Sequence, residues 1–206
     1  MTASKIIGLI DLVRHTKIYD LAQPVYEKGP VFPYDPPYYL STHRDHKQTM
    51  QPNGLGFAVE TIFTSTHVST HIDAMCHMAR NGKMFNNVDA SSVTTPTGFT
   101  KNGIEQAPLF VIRGVLLDLP RSKGELPENY QINGDDLEQA KNIQGTEISA
   151  GDAVLVRTGY GKYFNNNKEK YMNAPGISQD GARWIVKNRA ALSGTDNIAY
   201  EVNESS

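Results

Sequence analysis

The apolar residues of the chain fall into short runs broken by turn-forming residues, which predicts short strands and helices. Leu55 to Thr64 sets Phe57, Val59, Thr61 and Phe63 against Ala58, Glu60 and Ile62, the period-two pattern of a strand. Leu109 to Leu119 carries Val111, Ile112, Val115, Leu116 and Leu117 and predicts a central buried strand. Asp152 to Thr158 predicts a second buried strand, Lys17 to Gln23 a short one, and Leu192 to Val202 a last one. Asn133-Gly-Asp-Asp-Leu-Glu138 reads as a cap and first helical turn, with acids at the positive end of the helix dipole. Ser178 to Arg189 predicts a helix with Ser178 as N-cap and Trp184 and Ile185 on its buried face. Ser4 to Arg14 predicts an amphipathic helix too short to span a bilayer. Arg80–Asp89, Pro120–Tyr130 and Asn165–Lys170 read as turns and loops. Strands first, then strands alternating with helices, indicate a mixed α/β architecture.

One stretch breaks this pattern with chemistry. Ser65-Thr-His-Val-Ser-Thr-His-Ile-Asp-Ala-Met-Cys-His77 places three of the six histidines and a carboxylate within eleven residues. His67, His71 and Asp73 form a donor set that suits Zn²⁺, Mn²⁺ or Fe²⁺. His77 is a candidate proton carrier, because imidazole titrates near neutral pH. Regular structure cannot gather the three donors. A straight strand leaves His67 about 13 Å from His71 along the chain. A helix brings the two histidines together but carries Asp73 roughly 200° away from His71. Convergence therefore requires a bend between the histidines, with Ser69 the expected place. The β-branched Thr66, Val68, Thr70 and Ile72 favour extended backbone on either side, so the motif reads as a strand bent at Ser69 that enters a turn after Asp73.

Composition narrows the setting. The 206 residues are 39% hydrophobic and 20% charged with net charge −2, which suits one ordinary globular domain. No basic cluster stands out, so neither nucleic acid nor an anionic membrane is an expected partner. The single cysteine, Cys76, excludes an internal disulfide and reads as a small buried apolar residue. Gly29 to Tyr39 holds four prolines with Phe32, Tyr34, Tyr38 and Tyr39. It is a rigid loop, either a plain surface loop or an aromatic wall over a small-molecule pocket. His43, Asp45 and His46 read as part of a solvated loop. Gly159-Tyr-Gly161 ends a strand, as a turn or as a close approach to a ligand.

The pattern His67-x-x-x-His71-x-Asp73-x-x-x-His77 resembles the signature of the cyclase family of metal-dependent hydrolases, which includes bacterial kynurenine formamidase and isatin hydrolase. The similarity covers nearly the whole chain. Asp20–Tyr26 resembles the family's opening strand and Gly29–Pro36 its early substrate loop, while Arg113–Asp118 and Pro175–Ser178 fall where the family has similar runs. Ser69 and Met75 stand where the family often has Gly and Pro.

The resemblance implies a swivelling β/β/α fold built as a single domain over residues 1–206. It implies a metal centre at His67, His71 and Asp73, with His77 as catalytic general acid and base. Phe32 takes the position of the aromatic side chain that the formamidases set against substrate. The implied reaction is hydrolysis of a small amide, lactam or imide C–N bond by metal-activated water, as in tryptophan catabolism. A cytoplasmic homodimer or homotetramer is expected. The family normally continues several tens of residues beyond the Asp196 region, where formamidases supply a further His and a Glu. Here all six histidines precede residue 78. The expectation is therefore a C-terminally incomplete domain with one Zn or Mn. Two other readings stay open. The donor set could be the facial triad of a non-haem Fe(II) oxygenase, or a chain without the tail could only bind a ligand or partner.

Overall fold

The protein is described over residues 13–202 in a computed structural model. The helix expected from Ser4 to Arg14 lies outside the described residues but for its last two. After a helical end at residues 13–15, the antiparallel strands β1 (Tyr39–Arg44) and β2 (Val59–Phe63) pair from Tyr39 opposite Phe63 to Arg44 opposite Val59. Every residue of both strands is exposed. A turn-rich stretch follows, with Asn81, Gly82, Asn86 and Asn87 all at positive φ. It runs into the short helix α1 (Ala90–Val93), capped by Asp89, and the tiny hairpin of β3 (Thr94–Thr95) and β4 (Gly98–Phe99).

The main packing lies further on. Strand β5 (Gly114–Asp118) leads into α2 (Leu119–Lys123), then β6 (Gln131–Ile132) and α3 (Gly134–Gln144). Strand β7 (Ala153–Arg157) is followed by α4 (Lys168–Met172), β8 (Gly176–Ile177), α5 (Gln179–Lys187) and β9 (Leu192–Thr195). The order β5-β7-β9 makes a parallel sheet with Val115 beside Val154 and Leu117 beside Val156. Side chains alternate across a strand, so these four valines and leucines share one face. They are buried with Leu137 and Ala140 of α3 and Ile185 of α5. At the start of the sheet, Arg113 donates two hydrogen bonds to Asp152, at 3.1 and 2.7 Å. That guanidinium holds the Asp152 carboxyl below the usual carboxylate range.

Local sequence explains the two longer helices. Asn133 caps α3 in a reciprocal box with Asp136, and Gly145 closes it in the left-handed conformation that glycine adopts without strain. Asp136 is also paired with Lys123 and Tyr130, which ties α2 to α3. Ser178 caps α5 as expected, Ile185 is buried, and Trp184 donates its indole N–H to Glu138 at 3.0 Å.

Several expected bounds are corrected. Lys17 to Gln23 forms no strand, because its backbone finds no sheet partner. The strand expected at Leu55–Thr64 shrinks to β2, after a turn at 52–54. Leu109 to Leu119 is not a central strand. Only Gly114–Asp118 pairs, at the sheet edge, and Leu109 is 98% exposed. The central strand is β7, bonded on both sides. The last strand stops at Thr195, where the chain turns Asp196 towards Thr158. The loops expected after Pro120 and Asn165 hold α2, capped by Asp118, and α4, capped by Asn167. His43 lies on β1 rather than in a loop, exposed as expected.

Glu125 gathers the surface beside α4. Its Oε1 accepts from the Tyr163 hydroxyl at 2.7 Å and Lys170 at 3.1 Å, with Lys162 at 3.6 Å. These hydrogen bonds and the two lysine charges hold its carboxyl at about 2, below an ordinary 4.5. A depressed folded-state pKa stabilises the fold above the unfolded pKa and ceases to do so as pH falls through the folded one. Thermal melts of wild type and Glu125→Gln should therefore differ by a constant amount above pH 4.5 and converge as pH falls towards 2. The difference should also shrink in high salt, since the carboxylate is exposed.

Candidate metal centre

The motif is not a strand. Residues 66–70 and 75–77 run as turns and bends, and 71–74 between them make no sheet pairing. The bend does fall at Ser69, which adopts φ +59°, in the left-handed region. The turn after Asp73 is present, closed by a hydrogen bond from His77 N–H to the Ala74 carbonyl at 2.9 Å. Beneath it, Cys76 is buried with Met84 and Val93, and its N–H donates to Asn102 at 3.0 Å. That small apolar cluster anchors the far end of the motif.

This backbone brings His67, His71, Asp73 and His77 together. Asp73 Oδ1 lies 2.9 Å from His67 Nδ1 and 3.3 Å from His71 Nε2. The His67 ring meets that of His71 edge-on at 5.2 Å and that of His77 at 4.0 Å with a 35° tilt. One donor atom from each of His67, His71 and Asp73 lies within 4.8 Å of the others. Donors bound to Zn²⁺ at about 2.0–2.1 Å in a tetrahedron stand about 3.4 Å apart, so the observed spacing fits a common ion.

The tautomer supports the fit. His71 Nδ1 lies 2.8 Å from the Ser69 carbonyl, which only accepts, so Nδ1 carries the proton. The Nε2 lone pair then faces an Asp73 oxygen that is itself an acceptor. Two facing acceptors repel unless a proton or a metal cation lies between them, and a carbonyl behind an imidazole is the usual support for one that ligates a metal. The His67 and His71 side chains keep 28% of their surface and Asp73 keeps 45%, which leaves open positions for water and substrate.

Other segments hold the motif by polar bonds. Ser65, buried just before it, donates to Asp35 Oδ1 at 3.0 Å and accepts from the His67 N–H at 3.0 Å. This ties the proline-rich loop to the cluster. Phe32 sits on that loop, closed by a hydrogen bond from Asp35 N–H to the Phe32 carbonyl, with its ring 6.0 Å from that of Tyr34. The loop therefore reaches the cluster through Asp35, while the Phe32 ring pairs with Tyr34. Gln23 reaches the motif from the other side, accepting from Ser69 Oγ at 2.6 Å and donating its N–H to Thr70 Oγ1 at 2.9 Å. None of Gln23, Asp35 or Ser65 is singled out by sequence pattern. Gln23 and Asp35 act across 46 and 30 residues, beyond any local periodicity.

The larger cavity is elsewhere. A space of about 120 Å³ at the carboxyl end of β7 is lined by Pro120, Arg157, Gly159, Tyr160 and Lys162 among others, and by no member of the cluster. The donor chemistry, not this cavity, marks the site. An apolar crevice between Tyr26, Val31, Tyr38, Val68 and Phe164 does abut the motif, but at about 10 Å³ its own side chains fill it.

Fold and cluster together define a mixed α/β protein with an open site able to take a divalent cation. The Cyclase family profile matches residues 19–202, and the chain belongs to that family. A solved structure described as a novel cyclase is 30% identical, covering 98% of this chain and 71% of its own at TM-score 0.82. Isatin hydrolase A from Labrenzia aggregata, bound to benzyl benzoate, is 19% identical at TM-score 0.70, covering 96% of this chain and 75% of its own. A potential metal-dependent hydrolase with cyclase activity is 22% identical at TM-score 0.57, covering 92% and 72%. The fold is that of these cyclase-family structures. No curated protein sequence matches the chain.

Ser65→Ala leaves the Asp35 carboxylate and the His67 N–H without their partner. The loss should be about 1–3 kcal/mol in urea denaturation, with faster amide hydrogen exchange at His67.

Proposed function

We propose that the chain is a metal-dependent hydrolase that opens the C–N bond of a small amide, lactam or cyclic imide. The observation that carries this reading is the convergence of His67, His71 and Asp73 on one point with the His77 ring stacked beside them. Membership of the cyclase family supports it. So do structural neighbours described as isatin hydrolase and as a potential metal-dependent hydrolase.

His67, His71 and Asp73 would hold one divalent ion, Zn or Mn. When bound, such an ion polarises a carbonyl and brings the pKa of water towards about 7. Ser69 keeps the His71 Nδ1 proton in place, so that Nε2 stays available as a donor. His77 is the general acid and base. It takes a proton from the attacking water and returns it to the leaving nitrogen, which would otherwise depart as a poor amide anion. Phe32, on the loop tied to Ser65, walls the aromatic part of the substrate.

Three variants test these roles. His67→Ala and His71→Ala should lose bound metal by elemental analysis and all turnover on a panel of aryl formamides and cyclic imides. His77→Ala should keep its metal and lose turnover about 10²–10⁴-fold. Full turnover in His77→Ala would remove that residue from the chemistry. Oxygen-dependent turnover with iron but not zinc would replace the hydrolase reading by an oxygenase.

The working form on this reading is a homodimer or homotetramer. Leu40 and Ile62, paired on one face of the β1–β2 sheet, are both about half exposed, an apolar surface that a second copy would cover. Sedimentation equilibrium should give two or four chains per particle, and charged residues at Leu40 and Ile62 should yield monomers. Among the described residues no helix is long and apolar enough to cross a membrane. A cytoplasmic setting suits this reading, and the lone cysteine is free and buried.

A further inference from the structure

We infer that a hydrogen-bonded brace runs from Asp196 through Gly161 and Gln23 to Ser69 and aims the His71 side of the cluster, which makes Ser69 and Gln23 positioning residues. The inference rests on the metal reading above.

The brace begins where β9 ends. Asp196 Oδ1 accepts from the Thr158 N–H at 2.6 Å and its hydroxyl at 2.7 Å. Asp196 Oδ2 accepts from the N–H groups of Gly159 at 3.1 Å and Gly161 at 3.3 Å. Gly161 sits against this carboxylate so closely that a Cβ would stand 3.2 Å from Asp196 Cβ and from its carbonyl oxygen. The Gly161 carbonyl accepts from Gln23 Nε2 at 3.4 Å. Gln23 then grips the motif twice through its backbone, at Ser69 Oγ and Thr70 Oγ1. The Ser69 carbonyl receives the His71 Nδ1 proton. All links but the last, which is local, join segments distant in sequence, so the end of the parallel sheet is tied to one imidazole of the cluster.

Ser69 separates aim from stability. Its φ of +59° is one that glycine adopts without cost, so Ser69→Gly relieves the backbone. The same change deletes the hydroxyl that reaches Gln23. If Ser69 served only the fold, Ser69→Gly would be harmless.

The test titrates the metal-free full chain with Co²⁺, whose visible d–d bands report ligand geometry. Ser69→Gly should melt at or above the wild-type temperature, yet bind Co²⁺ about tenfold more weakly with altered bands. Gln23→Met cuts the link to Gly161 without touching a motif side chain, and should weaken binding in the same direction. Wild-type affinity and bands in Ser69→Gly overturn the inference. Wild-type behaviour in Gln23→Met alone overturns its extension to Asp196. His71→Ala separates the two levels of argument. If it binds Co²⁺ as wild type does, or if wild type binds none, the metal reading itself fails and the brace falls with it.

Discussion

The site depends on a left-handed residue between two histidines. With His-x-x-x-His-x-Asp spacing, no strand or helix presents all three donors to one point, and only a reversal within the first interval does. Ser69 supplies it at φ +59°. A non-glycine residue in that region costs about 1–2 kcal/mol. The hydrogen bond from its hydroxyl to Gln23 contributes about 1 kcal/mol, whereas the one from His71 to its backbone carbonyl would be kept by glycine. The hydroxyl bond offsets much of that cost. Serine is therefore tolerable here only because its side chain is engaged, whereas glycine would need no such engagement.

The two halves of the chain are held by different forces. From β5 onward the protein packs a conventional core, with Leu117, Leu119, Ile132, Leu137 and Val154 fully buried. Before residue 100 few side chains are buried, and both strands of the first sheet are exposed throughout. The His67–His71–Asp73 cluster lies in that first half. It is kept in place by specific polar bonds at Ser65, Gln23 and Thr70 and by the small cluster around Cys76. Hydrophobic burial is non-directional and tolerates small shifts, whereas a hydrogen bond fixes distance and angle. Ligands that must converge to within a few tenths of an ångström benefit from the second kind of support.

Much of the local structure was readable in the sequence, though not the helix around Pro120 or the unpaired backbone of the motif. The caps at Asn133 and Ser178, the buried strand at Asp152–Thr158 and the bend at Ser69 all follow from residue type and spacing. The family pattern also indicated the cluster and the mixed α/β fold. Non-local features escaped. The hydrophobic run from Leu109 predicts a central strand, yet sheet order depends on which segments cross over, and that order puts β7 in the middle. Leu192–Val202 looks continuous, but Asp196 finds four donors across the sheet and pulls the chain away. Pro120 looks like a loop residue, yet in the first turn of a helix its missing N–H costs nothing, and α2 forms around it.

Substrate position follows from what the cluster lacks. Its donors are partly solvated and none of them lines the 120 Å³ cavity, so on the proposed reading an aromatic amide would find its apolar contact on neighbouring segments. Two are at hand. The crevice at Val68 is apolar but filled, and opening it would separate Tyr26 from Phe164, whose rings meet edge-on at 6.1 Å. The proline-rich loop carries Phe32 and Tyr34, with Tyr34 almost wholly exposed. Its tie to the cluster is the single carboxylate–hydroxyl contact of Asp35 with Ser65, backed by Ser65 N–H to the Pro36 carbonyl at 3.4 Å. Prolines limit how that loop can flex, so much of its shape is fixed by the sequence itself. On the proposed reading, an aromatic ring brought to the cluster would meet a loop already rigid, and little of the ordering cost of binding would fall on it.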